Sequence, residues 1–134
     1  MNVEQLQKSL RASQYAELVL GNHSIFLEQD YAIDPFINPL TTQQIQHIVQ
    51  TSLDHLTDEA TWMREIRILR ARLMFRWIWQ DANQLTDVVT LTRELSDFAD
   101  ATICAAKDFA RIPLVAKHGE PVGYNGKVQD LIVV

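Results

Sequence analysis

The sequence predicts an all-α fold: an antiparallel helical bundle around one arginine-rich helix at about residues 58–83. Three observations carry that reading. Apolar residues recur at three- and four-residue spacing along most of the chain, the period of one helical face. Gly and Pro number only four each in 134 residues, too few for a loop-rich β-sandwich. The stretch 58–83 is apolar on two opposite sides, and such a helix is covered by neighbours on both. Short connections then favour antiparallel packing of those neighbours.

The elements follow in order. Val3, Leu6 and Leu10 keep helical spacing, with Asn2 placed to cap them. Ser13 interrupts this stretch and caps a second one through Tyr15, Leu18 and Val19, which is expected to stop at Gly21. Ser24 is expected to start a single short helix through Ile25, Phe26 and Leu27. In Asp34-Pro35-Phe36-Ile37-Asn38-Pro39 each proline pushes the preceding residue out of the α region, so this is a turn-rich connection. Thr41 and Gln44 have capping-box spacing and open a helix carrying Ile45, Ile48, Val49, Leu53 and Leu56. Thr57, followed by Asp58 and Glu59, is expected to cap the central helix, with acids in its first turn where the macrodipole favours them. Thr86 and Asp87 open the last long helix, through Leu91, Leu95, Phe98, Thr102, Ala105 and Phe109. Pro113 is expected to kink or end it.

On the wheel of the central helix Trp62, Ile66, Leu69, Leu73 and Trp77 share one narrow arc, the structural core stripe. Ile68, Ala71, Phe75, Ile78 and Trp79 lie on the other side, and arginines occupy the flanks between. The tail differs in kind. His118 to Gly126 is a polar loop containing the turn dipeptide Asn125-Gly126, and Leu131-Ile132-Val133-Val134 reads as a strand buried on both faces. With no strand partner elsewhere it is an orphan. The expected division is a helical bundle over 1–117, then a linker and first strand of a truncated second domain over 118–134.

Composition excludes several classes. Apolar types make up 47%, charged types 22%, and the net charge is −5, which together argue against disorder. No apolar run approaches the roughly 18 residues of a membrane span. Met1-Asn2-Val3-Glu4 shows no basic and apolar leader, so a cytoplasmic protein is expected. The charge is segregated: Arg64, Arg67, Arg70, Arg72 and Arg76 stand against Glu65 alone between residues 61 and 80, while both flanking regions are net acidic. A pI near 5.2 argues against a nucleic-acid face.

Candidate chemistry is sparse. His47 and His55 are eight residues apart rather than the four that places two ligands on one helix face, and no Cys/His cluster suggests a metal. His23 and His118 fall near expected helix ends, an ordinary solvent or capping position. Cys104, between Ile103 and Ala105, is expected to be a buried small apolar residue. Trp62 and Trp77 belong to the core stripe, not to a base-stacking platform. Arginines on a doubly covered helix ordinarily pair with acids of neighbouring helices, for which Asp81, Glu94, Asp97 and Asp100 are candidates. Guanidinium groups also suit phosphate, which leaves Arg67, Arg70 and Arg76 as candidates for phosphate or interdomain contact.

Read together, these segments resemble the glutamine synthetase adenylyltransferase family. The stretch Met63-Arg64-Glu65-Ile66-Arg67-Ile68-Leu69-Arg70-Ala71-Arg72-Leu73-Met74-Phe75-Arg76-Trp77-Ile78-Trp79-Gln80-Asp81 resembles its arginine-rich helix, with an arginine near the end and an aspartate five residues on. Glu94-Leu95-Ser96-Asp97-Phe98-Ala99-Asp100-Ala101 resembles the family's following helix. His118-Gly119-Glu120-Pro121 and Gly126 to Val134 resemble the loop and first strand of its nucleotidyltransferase domain. Ser13-Gln14-Tyr15 to Phe26-Leu27-Glu28 is similar to an opening motif, with Ser24 where the family usually has proline.

The resemblance implies an N-terminal helical fragment of a bifunctional enzyme that attaches AMP to, and removes it from, a tyrosine of glutamine synthetase. It places the fragment as a scaffold before the AMP-removing domain. The family's glycine-rich loop and Ser-Asp-x-Asp motif, which would serve nucleotide phosphates and metal, are not in this sequence, so no catalytic residue is expected in it. Mg²⁺ and ATP or ADP are implied for the full-length enzyme, as are glutamine synthetase, the PII signalling protein and the chain's own catalytic domain as partners. The rival expectation is a stand-alone helical interaction module that binds a partner's sheet edge through Leu131–Val134.

Overall fold

Short polar side chains start each of five helices. In the computed structural model, which describes residues 1–130, these are α1 (Val3–Ala12), α2 (Gln14–Ile33), α3 (Thr42–Leu53), α4 (Glu59–Ala82) and α5 (Val88–His118). Asn2, Ser13, Thr41, Asp58 and Asp87 sit at the N-caps, and each side chain accepts a hydrogen bond from the backbone N–H three residues on. At Thr41 the box is complete: Gln44 N–H donates to Thr41 Oγ1 at 3.2 Å, and Thr41 N–H donates to Gln44 Oε1 at 2.8 Å. The cap of α4 is Asp58, not Thr57 as expected. Its carboxylate accepts from both Thr61 N–H, 2.8 Å, and Thr61 Oγ1, 2.7 Å, and its charge complements the helix dipole, which a hydroxyl cannot do.

Three expected boundaries shift, the first at α3, which ends at Leu53 and leaves Leu56 beyond it. α2 does not stop at Gly21 or restart at Ser24. It runs on to Ile33, with a break in its dihedrals at His23 (φ −134°, ψ 23°). A glycine inside a helix costs only about 1 kcal/mol, and Val19 before the break and Leu27 after it are buried in the same core. Nor does Pro113 end α5, which continues to His118. Proline removes the bond to the Phe109 carbonyl, and the helix runs on through it with Ile112, Pro113 and Leu114 exposed. Gly119, at φ 79°, supplies the stop.

α4 touches each of the other four helices, and its two apolar sides lie in two separate cores. One core joins Trp62, Leu69, Leu73 and Trp77 to Ile45, Val49 and Leu53 of α3 and Phe98 of α5, with Ile66 packed against it. The other joins Ala71, Phe75 and Trp79 to Ala16, Val19 and Leu27 of α2, with Leu6 and Leu10 of α1 alongside. The 34–39 connection is anchored by Phe36, 2% exposed, whose ring meets Tyr31 and Trp79 edge-on at 5.4 and 6.2 Å. Its φ of 58° is a left-handed conformation that a bulky residue adopts only when packing holds it. Gln84 also takes a positive φ, 57°, closing α4 with a Leu85 N–H to Gln80 carbonyl bond of 2.8 Å, the Schellman pattern.

Cys104 is exposed, contrary to expectation. On α5 the inward stripe is Phe98, Ala101, Ala105 and Phe109, and each residue turns the helix by about 100°, so apolar sequence neighbours do not make Cys104 inward-facing. Among the described residues no strand forms, only an isolated antiparallel bridge between Val122 and Val128. The predicted strand Leu131–Val134 lies outside the described residues. No helix of the described chain is long and apolar enough to cross a membrane.

Candidate functional site

The arginines of α4 divide by flank. On the side facing α2, Arg72 donates two guanidinium N–H groups to Asp30, one from Nε to Oδ2 at 2.7 Å, and its guanidinium lies 5.4 Å from the Phe26 ring centroid. Arg76 is 5% exposed. It pairs with Asp34 at 2.8 Å, donates to the Asn38 carbonyl at 2.6 Å, and stacks over Phe36 at 5.2 Å. Gln80 Nε2 donates to the same carbonyl at 3.0 Å. Beside these pairs is a mostly apolar cleft of about 250 Å³, lined in part by Ile33, Phe36, Leu40, Leu69 and Leu73.

The acids that meet these arginines are therefore Asp30 and Asp34, at the end of α2, and not the expected Asp81, Glu94, Asp97 and Asp100. Those residues are used otherwise or lie elsewhere. Glu94 is fully buried and accepts the Trp77 indole N–H at 2.9 Å. Asp97 accepts from Thr42 Oγ1 at 2.9 Å and so ties α5 to the start of α3. Asp81 and Asp100 are exposed.

Of the three candidate contact residues, Arg76 is thus committed to the inside of the fold. Arg67 and Arg70 point outward on the opposite flank, exposed, with no ion pair among the described residues. Met63, also exposed, sits on the same flank, and Arg64 nearby bonds Glu65 at 3.1 Å. Trp62 and Trp77 pack on Phe109 and Phe98, with ring centroids 5.3 and 5.8 Å apart. His47 and His55 are exposed on and just after α3, and no three His, Cys, Asp or Glu side chains converge as metal ligands among the described residues.

A second charged group lies at the far end of α5. Lys107 donates to Asp130 at 2.9 Å, and Arg111 reaches both Asp130, at 3.2 Å, and Glu120. The hydrogen bond to Asp130 holds the Lys107 ammonium above its ordinary pKa. This group is not visible in the sequence, because four scattered residues form a cluster only once the tail turns back. The turn at Asn125-Gly126 was the one available signal.

Among the described residues the fold defines an all-helical module, with exposed arginines on one flank of α4 and a tail folded against the last helix. The chain matches the model of the glutamate-ammonia ligase adenylyltransferase family over residues 3–134, and it belongs to that family. It is 70% identical, over its whole length of 134 residues, to the bifunctional glutamine synthetase adenylyltransferase/adenylyl-removing enzyme of Acinetobacter baylyi (strain ATCC 33305 / BD413 / ADP1). The chain spans 14% of the length of that relative. No solved structure matches it.

Proposed function

We propose that this chain is the N-terminal helical segment of a bifunctional enzyme that adenylylates and deadenylylates a tyrosine of glutamine synthetase. In this reading the segment is a scaffold for the AMP-removing nucleotidyltransferase unit and carries no catalytic residue. The identity of 70% to a relative named for both activities supports the parent function. For the scaffold role the carrying observation lies on α4. Arg72 and Arg76 are consumed by Asp30 and Asp34, while Arg67 and Arg70 are left exposed on the other flank. An unpaired cationic strip on a rigid helix fits contact with an acidic or phosphate-bearing surface, in the catalytic unit or in glutamine synthetase.

Mg²⁺ and ATP or ADP belong to the rest of such an enzyme. Asp54, Asp100 and Asp108 share one groove without converging as a set of metal ligands among the described residues. Regulation by PII likewise belongs to the parent enzyme in this reading.

The test uses the full-length protein and adenylylated glutamine synthetase. Arg67→Glu with Arg70→Glu is expected to slow AMP removal roughly tenfold while the melting temperature stays put. Residues 1–134 alone are expected to transfer no AMP in either direction. Unchanged AMP removal in the double variant would refute the strip's role, and a full-length protein that acts on glutamine synthetase in neither direction would refute the parent reading.

A further inference from the structure

α5 is followed by a loop whose two ends are held by one side chain. Arg111 donates to Glu120 at the start of the loop and, from its other terminal nitrogen, to Asp130 at the end, 3.2 Å away. Lys107, one turn earlier on the same face, donates to Asp130 at 2.9 Å. Between these points the chain reverses. Val122 bridges Val128, Gln129 N–H donates to the Pro121 carbonyl at 2.8 Å, and Gly123 N–H donates to the Lys127 carbonyl at 3.0 Å. Gly126, at φ 73°, makes the reversal possible.

The consequence is directional. A helix rises about 1.5 Å per residue, so Lys107 lies roughly 16 Å back from His118, the last residue of α5. The chain at residue 130 is drawn back along the flank of α5 instead of leaving from its end. An isolated exposed ion pair contributes little to stability. One guanidinium shared by two carboxylates from opposite ends of a loop does something else: it fixes geometry.

We infer that Arg111, assisted by Lys107, is a positioning residue that sets the direction in which the chain enters the catalytic unit after residue 130. The inference rests on the reading above that such a unit follows. The loop's own hydrogen bonds can turn the chain, but they do not fasten it to the helix. Among the described residues, the two α5 bases tie both ends of the loop to the helix through Glu120 and Asp130.

The experiment compares Arg111→Glu, Arg111→Lys and the unaltered residue in the full-length protein, with both AMP-removing and AMP-adding activities measured. Arg111→Glu is expected to lower kcat for AMP removal about tenfold or more, because small misplacement of reacting groups is costly. AMP addition and the melting temperature are expected to stay unchanged, with Arg111→Lys recovering most of the loss. Small-angle scattering is expected to show an altered interdomain arrangement in Arg111→Glu alone. AMP removal within twofold of the unaltered protein, or a parallel fall of both activities with the melting temperature, would overturn the positioning role. If the unaltered protein has neither activity, the parent reading has failed, and unchanged scattering in Arg111→Glu would then overturn the positioning role on its own.

Discussion

Trp77 of α4 donates its indole N–H to Glu94 of α5 across 2.9 Å, and both side chains are buried. The bond joins the central helix to the last one from inside the larger core, beside the Trp77–Phe98 ring contact. A buried carboxylate is stable only with partners, and Arg93 approaches the other oxygen of Glu94 at 3.8 Å.

Removing the donor should therefore be worse than neutralising the acceptor. Trp77→Phe leaves Glu94 without its indole and is expected to cost about 3 kcal/mol, whereas Glu94→Gln, which keeps an acceptor, costs about 1 kcal/mol or less. Urea unfolding of both variants measures the difference, and equal losses would mean the bond is not what holds the pair.

The same contrast applies to the arginines. Arg76→Ala removes a buried guanidinium from the part-exposed Asp34 and from the Asn38 carbonyl, and should destabilise by about 2–3 kcal/mol. Arg67→Ala and Arg70→Ala should each stay within about 0.5 kcal/mol, as exposed substitutions do. Comparable losses at all three positions in a thermal-melt series would contradict the division of α4 into a paired and an open flank.

The two cores should respond independently. Val49→Ala in one and Val19→Ala in the other are each expected to cost about 2 kcal/mol. Their double variant should equal the sum to within about 0.5 kcal/mol, since they share no packing partner in the same cluster. A large non-additive term would show that the cores are coupled through α4.

Acid sensitivity should trace to two helix starts. Hydrogen bonds from the Thr61 side chain and backbone hold the Asp58 carboxyl below the ordinary value of 3.8, and those from the Thr90 backbone and side chain do the same for Asp87. A lowered folded-state pKa contributes stability that is complete above the ordinary value and is lost as pH falls through the lowered one. Asn caps helices as well as Asp but does not titrate. The Asp58→Asn, Asp87→Asn protein gives up that charge-dependent part, so it should be slightly less stable than the parent near neutral pH and lose less stability below about pH 4. Denaturation midpoints taken from pH 7 to pH 2.5 would show this, and identical acid slopes would count against it.

Gln84 offers a gain instead of a loss. A non-glycine residue at φ 57° costs roughly 1–2 kcal/mol, part of which glycine returns in the unfolded chain. Gln84→Gly is expected to raise stability by up to about 1 kcal/mol, read from the denaturant midpoint. A fall would mean that the Gln84 side chain contributes more than its backbone strain removes.

Much of this was legible from local chemistry. The Thr41–Gln44 capping box, the role of Asn2 and Ser13, and the two-sided pattern of α4 are set by neighbours within one or two turns, and spacing reports them directly. What distant packing decides was not legible. Nothing near Arg72 and Arg76 in sequence points to Asp30 and Asp34, and an aromatic in a proline-rich turn does not look like core until Phe36 meets Tyr31 and Trp79. Cys104 has apolar sequence neighbours, yet its side of the helix faces water. The outward placement of Arg67 and Arg70 has the same origin: which flank of α4 is covered depends on where α2 ends.

The packing of α1 and α2 on α4 has a consequence for synthesis. α1 and α2 leave the ribosome before α4, yet α4 carries the surface they need. The Asn83 amide donates to the Gln5 carbonyl and to Ser9 Oγ, each at 3.2 Å, as though fastening the first helix only after α4 is complete. At translation rates of about 5–20 residues per second, the N-terminal helices wait several seconds with apolar faces uncovered. In that interval α1 and α2 have only each other to pack against.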